Sequence, residues 1–391
     1  MHFSSLLTTQ SNAAEAGDYL ISRLRQAMRG EPVDLLLLFL SPHFRADAPG
    51  LAARFRAEFG PQAMVGCTGE GVIGGGHEVE QVPSIAVVAA SLPGVRLAPF
   101  SLRPSRLQEV LTGSGGQLLP ANEVRLFVLL ADPFTMPMEA VLNVFNRTYA
   151  GVPVIGGMAS GSFRPGGNAL LLNEQTFSDG AVGVAFSGAV DIDVVVSQGC
   201  RPVGHPLTVT EVRGNVVMTL NGASPLVVIQ EMFDHMPTAD QALLQQGLFI
   251  GRAINSARTP LGRGDFLIRG VVGVERDTGG LVVADYIQPG ETVQFHVRDA
   301  STAEEDLEMM LTPQLLYDPP CGGLLFSCNG RGTRLYSHPD GDVSTIFNVL
   351  GAVEVGGFFC AGELGPIGGV NFLHGHTASL ALFRPAPVEG E

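Results

Sequence analysis

Residues 33–41 (VDLLLLFLS), 48–59 (APGLAARFRAEF), 63–71 (AMVGCTGEG) and 84–92 (SIAVVAASL) set the pattern of the chain. The same order returns at 124–132 (VRLFVLLAD), 138–149 (MEAVLNVFNRTY), 154–161 (VIGGMASG) and 181–187 (AVGVAFS). A weaker third copy runs through 323–328 (GLLFSC), 342–350 (DVSTIFNVL), 357–365 (GFFCAGELG) and 378–383 (ASLALF). Each copy reads as a strand, an amphipathic helix, a strand ending in a loop of glycine and small residues, and a further strand. Because the first two strands flank a helix, they are expected to lie parallel, joined by a right-handed crossover. Their nearly continuous apolar runs predict strands covered on both faces.

Between the second and third copies the pattern changes. Residues 207–210 and 216–220 are β-branched runs joined by a polar turn, a hairpin signal, and 265–275 with 281–287 suggest a second antiparallel pair. Ser224-Pro225 has the chemistry that starts a helix over 226–235. Residues 301–311 read as an acidic amphipathic helix, with Thr302 and Glu305 spaced as a capping box. The stretch 200–206, with two prolines and a glycine, reads as a loop at the domain boundary. The expected fold is therefore α/β: two domains of mixed β-sheet with flanking helices, 1–205 and 206–391, built from recurring strand–helix–strand–strand units.

Composition narrows the function. The 391 residues carry 23 basic and 38 acidic side chains, a formal charge of −15, and every basic residue is arginine. The absence of lysine excludes Schiff-base and pyridoxal chemistry and the Walker A loop. The acidic balance argues against a nucleic-acid groove. Hydrophobic residues at 45% and charged residues at 16% exclude a largely disordered chain. The start lacks the basic and apolar regions of a secretory signal, and the longest purely apolar run, 35–40, is far too short to span a bilayer. Five scattered cysteines, Cys67, Cys200, Cys321, Cys328 and Cys360, read as reduced thiols. A cytoplasmic protein is expected, with no cofactor, no metal, no nucleic acid and no membrane contact.

Candidate sites follow from the strand-end loops, since ligands of α/β sheets bind beyond the carboxyl ends of the strands. The sequence from Gly69 to Gly74 matches G-x-G-x-x-G, but the loop continues toward another strand without the helix and distal acid of a dinucleotide site. The three corresponding loops carry Cys67-Thr68-Gly69-Glu70, Met158-Ala159-Ser160-Gly161 and Ala361-Gly362-Glu363. Their small residues and few polar groups, Thr68, Glu70, Ser160 and Glu363, suit a small-molecule pocket. Glu363 could receive an ammonium group and Arg331 a carboxylate. A different reading makes Cys328, in Ser327-Cys328-Asn329-Gly330-Arg331-Gly332, the nucleophile of a hydrolase or transferase, with His374 and Asn371 completing a Cys–His–Asn set. A third is a scaffold that binds a partner and no ligand.

Residues 65–76 (VGCTGEGVIGGG), 326–332 (FSCNGRG), 356–366 (GGFFCAGELGP) and 371–375 (NFLHG) together resemble the FIST family, named for F-box and intracellular signal transduction. The resemblance covers residues 32–383, with N-terminal and C-terminal halves in the expected order. It implies an intracellular sensory module that binds small ligands, amino acids among them, and it carries over no catalytic residue. Within the matched motifs it points to Cys67, Glu70, Cys328, Arg331, Glu363 and Asn371 as pocket residues. With no F-box before these halves and no kinase, cyclase or chemotaxis module after them, a separate signalling protein is the expected partner.

Overall fold

Leu35, Leu37 and Phe39 face one core while Leu36, Leu38 and Leu40 face another, the period-2 alternation of a strand covered on both sides. Leu126, Val128 and Leu130 alternate in the same way with Phe127, Leu129 and Ala131. In the computed structural model, which describes residues 1–112, 119–258 and 260–386, every strand and helix of the three sequence copies forms. The parallel pairs are Leu35–Leu40 with Ala63–Thr68, Val124–Ala131 with Val154–Met158, and Gly322–Cys328 with Val355–Cys360.

Three six-stranded sheets result, and they share one strand order. Beside each parallel pair lies the copy's last strand, antiparallel, and beyond it an additional strand: His2–Thr8, Val95–Leu102 or Val190–Gln198. The other edge of each sheet is a hairpin donated by a different copy. The first copy's hairpin, Gly71–Gly74 with His77–Glu80, joins the third copy's sheet. The second copy's hairpin, Leu170–Leu172 with Gln175–Phe177, joins the first copy's sheet. The third copy's hairpin, Glu363–Ile367 with Val370–His374, joins the second copy's sheet. The exchange is cyclic and complete.

The inner faces of all three sheets contribute to one core, where Phe39 stacks on Phe358 with ring centroids 5.2 Å apart. Each outer face packs under its own helices: Ala13–Ala27 and Ala48–Phe59 on the first sheet, Met138–Thr148 on the second, Ala300–Leu311 and Gly341–Leu350 on the third. Burial of each such leucine or phenylalanine contributes roughly 1.5–3 kcal/mol.

The segment inserted into the third copy folds differently. Cys200–Arg213, Val216–Leu220, Leu281–Val283, Phe266–Val274, Phe249–Ala253 and Thr292–Arg298 close into an antiparallel barrel. Both antiparallel pairs expected from the sequence are present. The stretch 200–206 is not a loop: it opens a 14-residue strand. Pro206 is tolerated because the register with Thr292–Arg298 shifts between Val203 and Leu207, where a bulge needs no ladder donor, while Pro202 stays in register opposite His296. The helix Ala300–Leu311 starts one residue earlier than expected, and its cap is Asp299, whose carboxylate accepts from the Thr302 N–H at 2.7 Å. The chain thus divides into two compact units: Met1–Val196 with Leu307–Leu373 and Thr377–Glu391, and Ser197–Asp306 with His374–His376. No helix among the described residues is long and apolar enough to cross a membrane.

Candidate functional site

The glycine-rich loops are the points where the chain leaves one sheet for the next, and they are bonded to one another. The Ser160 and Gly161 N–H groups donate to Thr68 O at 3.3 and 3.2 Å. Met158 N–H donates to Gly362 O at 2.8 Å, and Ala361 N–H to Met158 O at 2.9 Å. Ser160 Oγ accepts from Glu70 N–H at 2.8 Å and donates to Phe359 O. Small residues are required here because a Cβ at Gly161 would meet the Thr68 side chain and one at Gly69 the ring of Phe358. Thr68 and Ser160 are buried in this junction. Thr68 Oγ1 also accepts from Ala169 N–H at 3.0 Å and donates to Asn168, which reaches Asp132 at 3.1 Å. Cys67 lies in the central core, and burial pushes its thiol pKa well up.

A buried polar cluster sits beside the junction, at the end of strand Gly322–Cys328. Arg331 and Asp342 are both fully buried. The guanidinium donates from Nη2 to Asp342 Oδ1 at 2.6 Å and from Nε to Oδ2 at 3.0 Å. Arg331 Nη2 also reaches Tyr336 Oη at 2.7 Å, Tyr336 donates to Asp342 at 2.7 Å, and Ser327 Oγ donates to Asp342 at 2.6 Å. Burial pushes the Asp342 carboxyl up, but the Arg331 charge and these hydrogen bonds outweigh it and leave it below the usual carboxylate range. The carboxylate that the sequence suggested as a ligand for Arg331 is therefore already supplied by Asp342. Among the described residues only Nη1 of that guanidinium has no partner.

Glu363 is fully buried. Its Oε2 accepts from Thr377 N–H at 3.2 Å and Oγ1–H at 2.8 Å, while Oε1 makes no hydrogen bond of normal geometry among the described residues. Burial raises its pKa to about 8, against the opposing pull of Thr377, Cys328 and the Arg331 charge. Glu78, from the exchanged hairpin of the first copy, accepts from Val343 N–H at 2.8 Å and is likewise raised to about 8, by burial and then by the Asp342 charge. Burial thus favours the protonated form of both carboxyls. Their folded-state pKa values lie above the ordinary 4.5, so the stability they contribute is complete below pH 4.5 and is lost as pH rises toward 8. The slope is about 1.4 kcal/mol per pH unit for each group. Urea midpoints measured from pH 5 to pH 9 are expected to fall, and Glu363→Gln to flatten the fall. A rising wild-type curve, or an unchanged slope in the variant, would place the carboxyl in water.

Cys328 completes the cluster, with Gly330 N–H donating to its Sγ at 3.4 Å. Over this turn lies an exposed ion pair between Arg334 and Glu70, with Nη1 to Oε2 at 3.0 Å, and Arg334 also donates to Asn329 O. Thus Glu70, Cys328, Arg331 and Glu363 converge, drawn from the first and third copies. Asn371 is committed elsewhere: its amide and main-chain groups bond Asn146, Val152 O and Val154 N–H, closing the edge of the second sheet. His374 belongs to the second compact unit and Cys328 to the first. Asp342, Glu78, Tyr336 and Arg334 were not singled out from the sequence. The one local signal was Asp342 at the start of an apolar helix, which reads equally well as ordinary dipole compensation.

Residues 34–223 match the FIST N domain and residues 225–366 the FIST C domain. The chain belongs to the FIST family. An uncharacterized protein of Mycobacterium tuberculosis is 39% identical to this FIST protein over 377 residues, 95% of each chain. An uncharacterized protein of Mycobacterium bovis is 36% identical over 381 residues, 96% of this chain and 97% of its own. The boundary between the two FIST domains falls next to Ser224, before the helix Pro225–His235. The compact units, by contrast, divide after Val196 and after Asp306.

Proposed function

We propose that this FIST protein is an intracellular sensor of a small polar metabolite bearing a carboxylate, an amino acid or a close relative, and that it passes its signal to a separate protein. The observation that carries the reading is the pair of buried, incompletely bonded groups, Glu363 Oε1 and Arg331 Nη1, beneath an ion pair that is open to solvent. A protonated Glu363 and the Arg331 Nη1–H are both donors, and a pair of donors suits one carboxylate. Arg334 is the group able to move. An exposed ion pair is worth about 0–1 kcal/mol, so a ligand carboxylate can compete with Glu70 for it at little cost. Releasing Glu70 would loosen the loop whose N–H is held by Ser160 Oγ, a local change suited to being read by a partner.

The test is a thermal-shift screen of the whole chain against amino acids and small hydroxy and keto acids at millimolar concentration. A ligand at ~100 times its Kd adds about 2.7 kcal/mol to the folded state, and each kcal/mol raises the midpoint by roughly 2–4 °C in a unit of this size. Glu363→Leu, which removes the donor at similar volume, is expected to abolish the shift and Arg334→Ala to weaken it, both with intact folding. A flat response to every carboxylate, or a shift that Glu363→Leu leaves unchanged, would remove this site from consideration.

A further inference from the structure

The barrel unit contains an open cleft of ≈ 880 Å³, within the size range of small-molecule sites. One wall is the irregular part of strand Cys200–Arg213, where the register shift between Val203 and Leu207 lifts Gly204, His205 and Pro206 off the ladder. Gly204 has φ +66°, and a Cβ there would lie 2.8 Å from Met232 Sδ. The opposite wall is the helix Pro225–His235 and the start of Thr238–Gln246. The sequence PLVVIQEMFDH is strongly apolar, yet within this helix only Pro225 is fully buried. Val228 and Met232 remain half-buried and line the cleft with Leu207.

The polar end of the cleft has a definite sign. Arg201 pairs with Asp240, Nη1 to Oδ2 at 3.3 Å, and with Asp299, Nε to Oδ2 at 3.2 Å. One guanidinium is thus shared by two carboxylates. Glu231, exposed on the cleft-lining helix, makes no ion pair among the described residues. The cleft is also lined by His205 and His235; with both imidazoles neutral, Arg201 against Glu231 and Asp240 leaves the lining net negative, which favours a cation over an anion.

We infer that this cleft is a second binding site, for a small organic ammonium compound whose apolar body lies on Val228, Met232 and Leu207 and whose charged end faces Glu231 and Asp240. It is separate from the carboxylate site proposed above, in residues and in the charge it selects.

The test compares phenethylammonium, 2-phenylethanol and 3-phenylpropionate by calorimetric titration of the whole chain, three probes of similar apolar body and different charge. The ammonium compound is expected to bind about tenfold more tightly than the carboxylate, with the alcohol between them. Because a carboxylate could also enter the first site, the same order must hold in Glu363→Leu. Glu231→Gln is expected to reduce the preference for the ammonium severalfold. Val228→Trp is expected to fill the cleft and abolish binding, and, as the only tryptophan in the chain, to report a folded environment by its emission. Equal affinity for the three probes, no binding of the ammonium at millimolar concentration, or ammonium binding unaffected in both variants would overturn the inference.

Discussion

Gly357→Ala is expected to abolish cooperative folding of the three-sheet unit. Gly357 lies in the parallel strand Val355–Cys360, opposite Leu325 of Gly322–Cys328. A Cβ there would fall less than 3.0 Å from Leu325 O, a backbone atom held in the ladder on both sides. The other copies repeat the approach: Gly66 lies against Leu38 O, and Gly156, at φ +128°, against Leu129 O. Relief requires the two central strands to separate, and with them the aromatic packing of Phe326 and Phe358. We expect a loss above ~4 kcal/mol, in the range reached only by a few severe mechanisms and a large part of a typical stability of 5–15 kcal/mol. Gly50 supplies the contrast, since it lies in helix Ala48–Phe59 with nothing near its Cβ position. Gly50→Ala should stabilise by roughly 0.5–1 kcal/mol. Urea denaturation of the two variants checks both signs. A Gly357→Ala protein melting within a few degrees of wild type would mean that the strands are not packed as described.

The second large effect is expected at the buried ion pair. Asp342→Ala leaves the Arg331 guanidinium fully buried without its counter-charge, a situation that costs about 3–5 kcal/mol. Arg331→Met leaves Asp342 with Ser327 and Tyr336 as donors but no cation, and is expected to cost nearly as much. The double variant Arg331→Met with Asp342→Leu should recover a substantial part of the loss, because apolar replacement of a whole buried pair is often neutral or better. Denaturant midpoints of wild type, Arg331→Met, Asp342→Leu and the double variant form a double-mutant cycle. If Asp342→Ala costs less than about 1 kcal/mol, the pair behaves as a solvated one.

These two sites show what was legible in the sequence and what was not. Periodicity disclosed the strands and their parallel pairing, since Leu35–Leu40 and Ala63–Thr68 are apolar at every position and flank an amphipathic helix. It disclosed the three copies for the same reason. It could not disclose the cyclic exchange: Val72 and Ile73 have the right pattern for any sheet edge, and nothing local tells them to pair with Phe358 and Gly357. The loops 67–71, 158–161 and 361–365 were recognisable as meeting points, but a glycine that opens space for a ligand and one that lets two backbones touch look the same in a sequence. Only the hydrogen bonds among Thr68, Glu70, Ser160 and Gly362 distinguish them. Arg331 was noticed as a charge in a glycine turn, while its partner Asp342 lies 11 residues away across a 3-10 turn, beyond any spacing rule. The stretch 200–206 misled because proline and glycine mark both loops and bulged strands.

Amide hydrogen exchange of the whole chain, with and without a millimolar mixture of amino acids, tests the central claim most directly. Binding at the Glu363 cluster predicts slower exchange at residues 329–334 and 361–363, together with altered exchange at 69–71 where Glu70 is released. The Glu363→Leu protein should show none of these changes. Slowed exchange confined to the barrel residues, or no change anywhere in the chain, would contradict the account of this FIST protein as a sensor reading carboxylates through the junction of its three sheets.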